Sequence, residues 1–107
     1  MILKTDMNQM TAKEVAPGVK GRFAHSDRMT MAWWEIDEGA VLPEHSHEHE
    51  QVVNVIEGTL EIRSGGSTWT LGPGSVLVLR GGETHEARGI TFCRVIDAFC
   101  PARDDYR

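Results

Sequence analysis

Short runs of alternating or continuous apolar residues, separated by glycines, make up most of this chain. Residues 59–63 and 68–71 alternate polar and apolar side chains, which is the pattern of a half-buried β-strand. The segment between them, residues 64–67, contains two adjacent glycines and favours a hairpin turn. Further runs are rich in the β-branched and aromatic residues that strands prefer. They are residues 29–36, 51–56, 75–79 and 91–99.

Glycine-containing turn signals punctuate these runs at regular intervals. From Gly58 onward they recur every seven to nine residues, a spacing typical of β-sandwiches and barrels. Residues 11–15 are expected to form a short helical piece, which Pro17 and Gly18 would end. Six or more strands in about ninety residues need a closed or double-sheet architecture to hide their edges. The sequence therefore predicts an all-β fold.

Length and charge limit the number of domains and the kinds of partner that this chain is expected to have. The chain has 107 residues, so we expect a single domain over residues 1–107. Its formal net charge of −5 opposes binding to nucleic acid or to an anionic membrane, because contacts with phosphates would be repulsive overall. The sequence contains neither an apolar run of the roughly 18 residues that span a bilayer nor the apolar segment of a secretion signal. We expect a cytoplasmic protein that binds neither nucleic acid nor membrane.

Three of the five histidines fall within five residues: His45, His47 and His49. On a helix, His45 and His49 would share a face, but Pro43 and the β-rich run after Gln51 argue against a helix. On a strand, His45 and His47 share a face, and Gln51 has the same parity. This set of nitrogen and oxygen donors suits a divalent metal with open coordination positions. The alternative is a solvated polar loop, which His-rich tracts also form.

The run at residues 91–99 places a carboxylate among apolar side chains. In an extended strand, Cys93, Val95, Asp97 and Phe99 share one face. If that face lines the interior, Asp97 is a buried carboxylate, which is uncommon unless it is paired or functional. Arg103 follows closely enough to fold back across the same site. The alternative is that Asp97 caps a local turn and Arg103 is a solvated tail residue.

Two segments together resemble the paired motifs of the cupin superfamily. The first motif runs Gly, five residues, His-x-His, three or four residues, Glu, six residues, Gly. The second runs Gly, five residues, Pro-x-Gly-x-x-His, three residues, Asn. The matching positions are Gly39, His45, His47, Gln51 and Gly58 for the first motif, and Gly74, Arg80, Gly82, His85 and Gly89 for the second. Gln51, Arg80 and Gly89 replace the Glu, Pro and Asn of the usual pattern.

The cupin resemblance implies a fold and a cofactor. The fold is a small β-barrel, a jelly roll of two antiparallel sheets, with its core over about residues 15–100. One divalent transition metal (Ni, Zn, Mn, Fe or Co) is implied in the barrel mouth. Carried over position by position, its ligands are His45, His47, Gln51 and His85. Because Gln51 is neutral, the metal would keep its full 2+ charge and be a stronger Lewis acid, and Fe(III) would be less favoured.

A closer resemblance lies at the C-terminal end. Residues 95–106 look like the Asp-x-Phe-x-Pro-x-Arg-x-Asp-aromatic signature of the pectin-degradation (KdgF-type) cupins, and residues 45–51 match that family too. These cupins linearise 4,5-unsaturated monouronates from pectin or alginate breakdown to 5-keto-4-deoxyuronates. The resemblance implies an isomerase acting on a sugar acid, with Asp97, Phe99 and Arg103 as functional residues.

The reaction suggests a role for each of these residues. Arg103 is expected to hold the substrate carboxylate, Asp97 to act as general base or proton shuttle, and Phe99 to pack against the sugar. Two other functions remain open. One is a different metal-dependent cupin enzyme, such as a dioxygenase, and the other is a non-catalytic sugar-binding cupin.

Two tryptophans and two further histidines are interpreted separately. Trp33 and Trp34 are adjacent, so on a strand they face opposite ways, one into the core and one to a surface or subunit interface. Because small cupins usually dimerise through sheet faces, the resemblance implies a homodimer. His49 is expected to be a mouth residue or spare donor, and His25 an exposed turn residue.

Overall fold

A computed structural model describes residues 1–107. It contains ten β-strands and two single-turn 3-10 helices, Met7–Gln9 and Asp104–Tyr106. The strands are β1 Lys13–Ala16, β2 Val19–His25, β3 Thr30–Ile36, β4 Val41–His45, β5 Glu50–Glu57, β6 Leu60–Ser64, β7 Ser67–Leu71, β8 Val76–Leu79, β9 His85–Gly89 and β10 Cys93–Cys100. None of the helices is long and apolar enough to cross a membrane.

The strands form two antiparallel sheets that pack face to face. The larger sheet has the order β1-β2-β3-β10-β5-β8, and the smaller has the order β4-β9-β6-β7. Neighbouring strands in each sheet are often distant in sequence, as in a jelly roll. The predicted all-β barrel of two antiparallel sheets is confirmed.

Strand β10 lies in the middle of the larger sheet, between β3 and β5. Its side chains Cys93, Val95, Asp97 and Phe99 are all buried, as the predicted alternation requires, with at most 5% of any of them exposed. The remaining core side chains come from the inner faces of both sheets. The buried apolar set also includes Val19, Ala32, Trp34, Ile36, Val53, Val55, Leu60, Ile62, Leu71 and Leu79. Each fully buried aliphatic side chain of this kind contributes about 1.5–3 kcal/mol to folding.

The predicted hairpin between residues 59 and 71 is present. Ser64 pairs with Ser67, which leaves Gly65 and Gly66 as a two-residue turn. Both glycines have positive φ, 56° and 81°, the backbone that a type I′ turn requires.

The helix expected at residues 11–15 is wrong. Lys13–Ala16 is β1, an edge strand that pairs antiparallel with β2. Lys, Glu and Ala favour helix in isolation, but here the ladder to β2 and the packing of Val15 and Ala16 against the core decide the conformation. The turn at Pro17 and Gly18 is retained as the connection between β1 and β2.

The two adjacent tryptophans are separated by the pleat of β3. Trp34 points into the core and is 5% exposed, whereas Trp33 lies on the outer face of the larger sheet. Gly21 on β2 makes room for Trp34, since a Cβ at this glycine would lie 2.6 Å from the indole ring. The indole of Trp34 therefore lies inside the barrel, where its N–H donates to Asp97.

Candidate metal centre and substrate pocket

The three motif histidines meet at one end of the barrel because of the register between β4 and β9. His45 is the last residue of β4, His85 is the first residue of β9, and the two are paired across the ladder. His47 follows in the connection between β4 and β5, and Gln51 is the second residue of β5. The strand expected to carry both His45 and His47 ends at His45, yet both imidazoles face the same point.

The imidazoles of His45, His47 and His85 form a compact cluster. Their candidate ligand nitrogens all lie within 4.8 Å of one another. The ring centroids of His45 and His85 are 4.5 Å apart, and that of His47 is 5.2 Å from His85. Three nitrogen donors at this separation can bind one ion and leave coordination positions open.

Backbone carbonyls fix the orientation of each imidazole. The Nδ1 of His45 contacts the Pro43 carbonyl at 2.8 Å, and the Nδ1 of His85 contacts the Glu83 carbonyl at 2.9 Å. The Nδ1 of His47 contacts the carbonyl of His49 at 3.0 Å. Because a carbonyl oxygen only accepts, each Nδ1 carries the proton and each Nε2 presents its lone pair. This arrangement is typical of metal-binding histidines.

Burial favours the neutral forms of His47 and His85. Burial and, to a smaller extent, the positive charge of Arg103 lower the pKa of His47 to about 4. Burial also lowers the pKa of His85 below its ordinary value. Neutral imidazoles are the form that binds a metal ion.

Unsatisfied lone pairs in the cluster fit a bound cation. The Nε2 of His85 is buried without a hydrogen-bond partner. The Nε2 of His47 lies 3.1 Å from Oε1 of Gln51, although with Nδ1 protonated both atoms are acceptors. A divalent metal would satisfy these acceptors together, so the residues present fit the ion that the donor set calls for.

Gln51 also connects this cluster to Asp97. Its Nε2 donates to Oδ2 of Asp97 at 2.7 Å, and the indole Nε1 of Trp34 donates to the same oxygen at 3.1 Å. The other carboxylate oxygen, Oδ1, is buried without a partner. Burial raises the pKa of Asp97 to about 7, although the hydrogen bonds from Gln51 and Trp34 and the charge of Arg103 oppose this rise.

Arg103 is buried at the same end of the barrel instead of being solvated. Its side chain is 7% exposed and forms an ion pair with Asp105, with 2.7 Å between Nη2 and Oδ2. Its guanidinium lies over the rings of Phe99, at 4.7 Å, and Tyr106, at 4.2 Å. The tail folds back over the mouth, and this geometry contradicts the alternative of a free arginine.

The interior below this cluster is narrow and largely apolar. It holds a cavity of about 40 Å³. One water molecule needs about 10–15 Å³ of such space, so the cavity has room for a few water molecules. The polar groups that border it are His45, Gln51, His85, Asp97, Arg103 and Tyr106.

The structure brings all the predicted site residues to one end of the barrel. These are His45, His47, Gln51, His85, Asp97, Phe99 and Arg103. His49 is outside the group of candidate ligands but supplies the carbonyl that orients His47. His25 is half-buried, not exposed, and its Nδ1 contacts Thr30 at 2.8 Å.

Four residues that adjoin the site were not assigned to it by the sequence analysis. They are Thr30, Trp34, Asp105 and Tyr106. A signal for Trp34 was present, because it shares parity with Ala32 and Ile36 whereas Trp33 shares parity with the charged Glu35. Asp105 and Tyr106 occupy the last two positions of the C-terminal signature, although no role was assigned to them. No local pattern identifies Thr30, since its contact with Arg103 depends on the fold of the tail.

Comparisons with known proteins agree with this geometry. The family model described as Cupin domain matches residues 32–99. The structure of KdgF from Halomonas sp. is 31% identical, covers 94% of each chain and has a TM-score of 0.87. An RmlC-like cupin from Shewanella frigidimarina NCIMB 400 is 26% identical, covers 96% of this chain and 94% of its own, and has a TM-score of 0.90.

More distant similarities extend the fold to other enzymes. Ectoine synthase from P. lautus is 23% identical, with a TM-score of 0.83 over 96% of this chain and 80% of its own. This likeness concerns the fold alone. Comparison with curated proteins finds no match.

Proposed function

Because this chain belongs to the cupin family, we propose that it is a metal-dependent enzyme that linearises 4,5-unsaturated monouronates to 5-keto-4-deoxyuronates. One observation carries the proposal: Asp97 and Arg103 border the same pocket as His45 and His85 of the histidine cluster. A buried carboxylate, a buried guanidinium and a metal site together suit an anionic substrate that must lose and regain a proton. The similarity to KdgF of Halomonas, at 31% identity over 94% of the chain, supports this choice of substrate.

His45, His47, Gln51 and His85 would hold the metal. The three imidazoles would bind through Nε2 and the amide through Oε1, since their other polar atoms are already hydrogen-bonded. When bound, a divalent cation supplies Lewis-acid stabilisation of negative charge that develops on a substrate oxygen.

Arg103 would bind the carboxylate at C5 of the uronate. Its planar guanidinium suits bidentate pairing with a carboxylate, and its burial strengthens that pairing. Phe99 is 2% exposed and lies beside both Arg103 and His47, so it would exclude water from the sugar. These contacts orient the ring for the steps that follow.

The proposed reaction is an isomerisation in which atoms balance. The proton of the C1 hydroxyl leaves, the C1 carbonyl forms, and the bond between C1 and the ring oxygen breaks. The electron pair passes to the ring oxygen, which becomes the enolate oxygen at C5. Protonation of C4 then gives the ketone at C5, so one proton is taken and one is returned.

Asp97 is our assignment for the group that moves this proton. Its Oδ1 has no hydrogen-bond partner, whereas Oδ2 is held by Gln51 and Trp34. The two fixed hydrogen bonds orient the carboxylate and leave one oxygen free to accept the proton from the C1 hydroxyl and return it at C4.

The test is the loss of the double-bond absorbance of a 4,5-unsaturated galacturonate monomer. Rates are compared for the metal-loaded protein, the metal-stripped protein and buffer, because such sugars also open spontaneously. We expect acceleration over buffer with the metal-loaded protein only. A metal-loaded protein that does not exceed the buffer rate would overturn the proposal, and oxygen uptake would then be measured for a dioxygenase.

We also propose a homodimer formed through the outer face of the larger sheet. The strand register places two mainly apolar rows across four strands: Met31, Ala98, Val52 and Val78, and Trp33, Ile96, Asn54 and Val76. Val76 and Val78 are 57% and 58% exposed. The polar residue among them, Asn54, carries a donor and an acceptor, so it can pair with its own copy across a two-fold axis.

The oligomeric state tests this surface. Ile96→Lys should convert a dimer to a monomer in light scattering, because it places a charge in the middle of the rows. Val41→Lys is the matched control and should leave the dimer intact, because Val41 is 41% exposed and pairs with the exposed Arg88 on the smaller sheet. A wild-type monomer at tens of micromolar would overturn the assignment.

A further inference from the structure

Asp105 occupies one edge of the Arg103 guanidinium. The Nε of Arg103 donates to Oδ1 of Asp105 at 3.0 Å, and Nη2 donates to Oδ2 at 2.7 Å. These hydrogen bonds lower the pKa of Asp105 below its ordinary value. Asp105 is half exposed, so it reaches the buried guanidinium from the solvent side of the mouth.

Two aromatic rings cover the guanidinium from different sides. The ring of Tyr106 lies 4.2 Å from Cζ of Arg103, and the ring of Phe99 lies 4.7 Å from it. The planes of these rings are 70° apart, so they form a corner around the charged group. Cation–π contacts of this kind hold an arginine without using its N–H donors.

The remaining donors of Arg103 are sufficient for one carboxylate. A guanidinium has five N–H groups, and Asp105 takes one from Nε and one from Nη2. Both N–H groups of Nη1 and the second of Nη2 remain. This edge can accept a carboxylate in the bidentate geometry, and Arg103 borders the pocket that contains Asp97.

The tail itself is anchored to the hairpin formed by β2, β3 and the turn between them. The backbone N–H of Arg103 donates to Oγ1 of Thr30 at 2.8 Å. The ring of Tyr106 stacks on Phe23, with 4.5 Å between centroids. Arg107 donates to the carbonyl of Ser26 at 3.1 Å. The segment that carries Asp105 and Tyr106 is therefore fixed relative to the barrel.

We propose that Asp105 and Tyr106 are positioning residues that hold Arg103 with its Nη1–Nη2 edge open to the substrate carboxylate. The inference rests on the proposed function only in taking the ligand to be a sugar acid. An arginine side chain loses much rotational freedom when it is ordered, and here that ordering is completed before the ligand binds. The two residues act through Arg103.

Kinetics of single variants test the role of Asp105. In Asp105→Asn the amide NH₂ replaces one carboxylate oxygen and faces an N–H group of Arg103. Since both groups are donors, Arg103 loses one of its two hydrogen bonds to residue 105. Because the carboxylate is held in substrate and transition state alike, we expect KM to rise about tenfold with kcat within about threefold of wild type. Asp105→Glu should recover most of the loss. Tyr106→Leu should raise KM in the same way.

Asp104→Asn is the matched control. Asp104 is the preceding residue of the same 3-10 helix and pairs with Arg107 at 2.7 Å at the exposed surface. It should leave KM unchanged. Equal values of KM in the variants of Asp104 and Asp105 would overturn the proposal.

A second measurement separates this inference from the choice of reaction. The Nε–H signal of Arg103 in a nitrogen-edited NMR spectrum should be resolved and slow to exchange in wild type and Asp104→Asn, and lost or broadened in Asp105→Asn. D-galacturonate should shift it in wild type and galactose should not. If turnover is absent but these shifts occur, the proposed reaction fails and the positioning role stands. If the signal is the same in Asp105→Asn as in wild type, the positioning role fails whatever the reaction.

Discussion

The proposed site has two halves that are built in different ways, a metal half with the three clustered histidines and a substrate half with Asp97 and Arg103. In the metal half, His45, His47 and His85 are each oriented by a carbonyl two residues away along the chain. In the substrate half, Asp97 is held by Gln51 and Trp34, which are 46 and 63 residues away. The first half is thus arranged by local backbone geometry, and the second by the packing of the whole barrel.

This difference separates two kinds of failure. A change in the metal half should remove the ion and leave the barrel folded, because the hydrogen bonds of its histidines are local and do not join distant strands. A change in the substrate half should affect stability as well as turnover, because its hydrogen bonds are buried among core side chains. Both halves meet at Gln51, which contacts His47 through one atom and Asp97 through the other.

The largest effect is expected from His85→Ala. Removing a residue that only orients a ligand commonly lowers metal affinity by about 10–100-fold. Removing the ligand itself should therefore lower metal affinity by more than about 100-fold. Metal content after dialysis and turnover should fall together, while the circular dichroism of a folded barrel persists. His49→Ala is the control, since its contribution to His47 is a backbone carbonyl. Full metal retention in His85→Ala would exclude this residue as a ligand.

The sequence predicts the metal half well because its information is local. Alternation places His45, His47 and Gln51 on one face and, in residues 91–99, places Asp97 inside, whereas His85 is implied by the resemblance to the second cupin motif. The substrate half was partly missed, because contacts such as Thr30 to Arg103 span 73 residues and leave no periodic signal.

The missed strands have local causes. Strand β4 contains Pro43, which is tolerated because β4 is at the edge of its sheet. Strand β9, with the sequence His-Glu-Ala-Arg-Gly, has weak strand propensity and is held by β4 and β6 on either side. Strand β2 contains Gly21, which interrupts its pattern but is required by the ring of Trp34.

Asp97→Asn tests the substrate half next. Asparagine can keep its oxygen where Gln51 and Trp34 donate, so the geometry is retained while the proton acceptor is lost. Turnover should fall about 10²–10⁴-fold, the usual contribution of a general base. Metal content should stay at the wild-type level, and Asp37→Asn is the control for loss of one negative charge. Wild-type turnover in a metal-loaded Asp97→Asn protein would exclude Asp97 as the general base.

Gln51→Glu tests the junction of the two halves. A carboxylate binds a cation at least as well as an amide, so metal should be retained, but Asp97 loses its donor and gains a like charge in its place. We expect turnover to fall about 10–100-fold, as for other residues that orient a site. Gln9→Glu, on the surface, is the control. A Gln51→Glu enzyme as fast as wild type would mean that the two halves are not coupled through this amide.

The pH dependence of stability offers a comparison that needs no substrate. Burial raises the pKa of Asp97 from its ordinary 3.8 to about 7, so the folded state of the metal-stripped protein binds a proton that the unfolded state has released. The stabilisation of the folded state by this proton is fully present below about pH 4 and is lost as the pH rises to about 7.

Asp97→Asn should therefore gain stability relative to wild type over the same interval. The difference in the free energy of unfolding between the two proteins should reach a few kcal/mol in denaturant titrations, since each unit of pKa is worth about 1.4 kcal/mol. Titration of the histidines is common to both proteins and cancels in the difference. A gap that does not change with pH would mean that Asp97 is not desolvated.

The smallest effect concerns the hydroxyl of Thr30, which joins the tail to the barrel. Thr30→Val keeps the volume and removes the acceptor for the buried N–H of Arg103, so that donor is left unsatisfied. Such a loss costs about 1–3 kcal/mol, which lowers the melting temperature of a domain of this size by several degrees. The control Thr70→Val, on exposed β7, should change the free energy of unfolding by less than about 0.5 kcal/mol. Because Arg103 remains paired with Asp105, KM should rise only slightly in Thr30→Val; a rise as large as that of Asp105→Asn would mean that the backbone anchor, and not the ion pair, sets the position of the guanidinium.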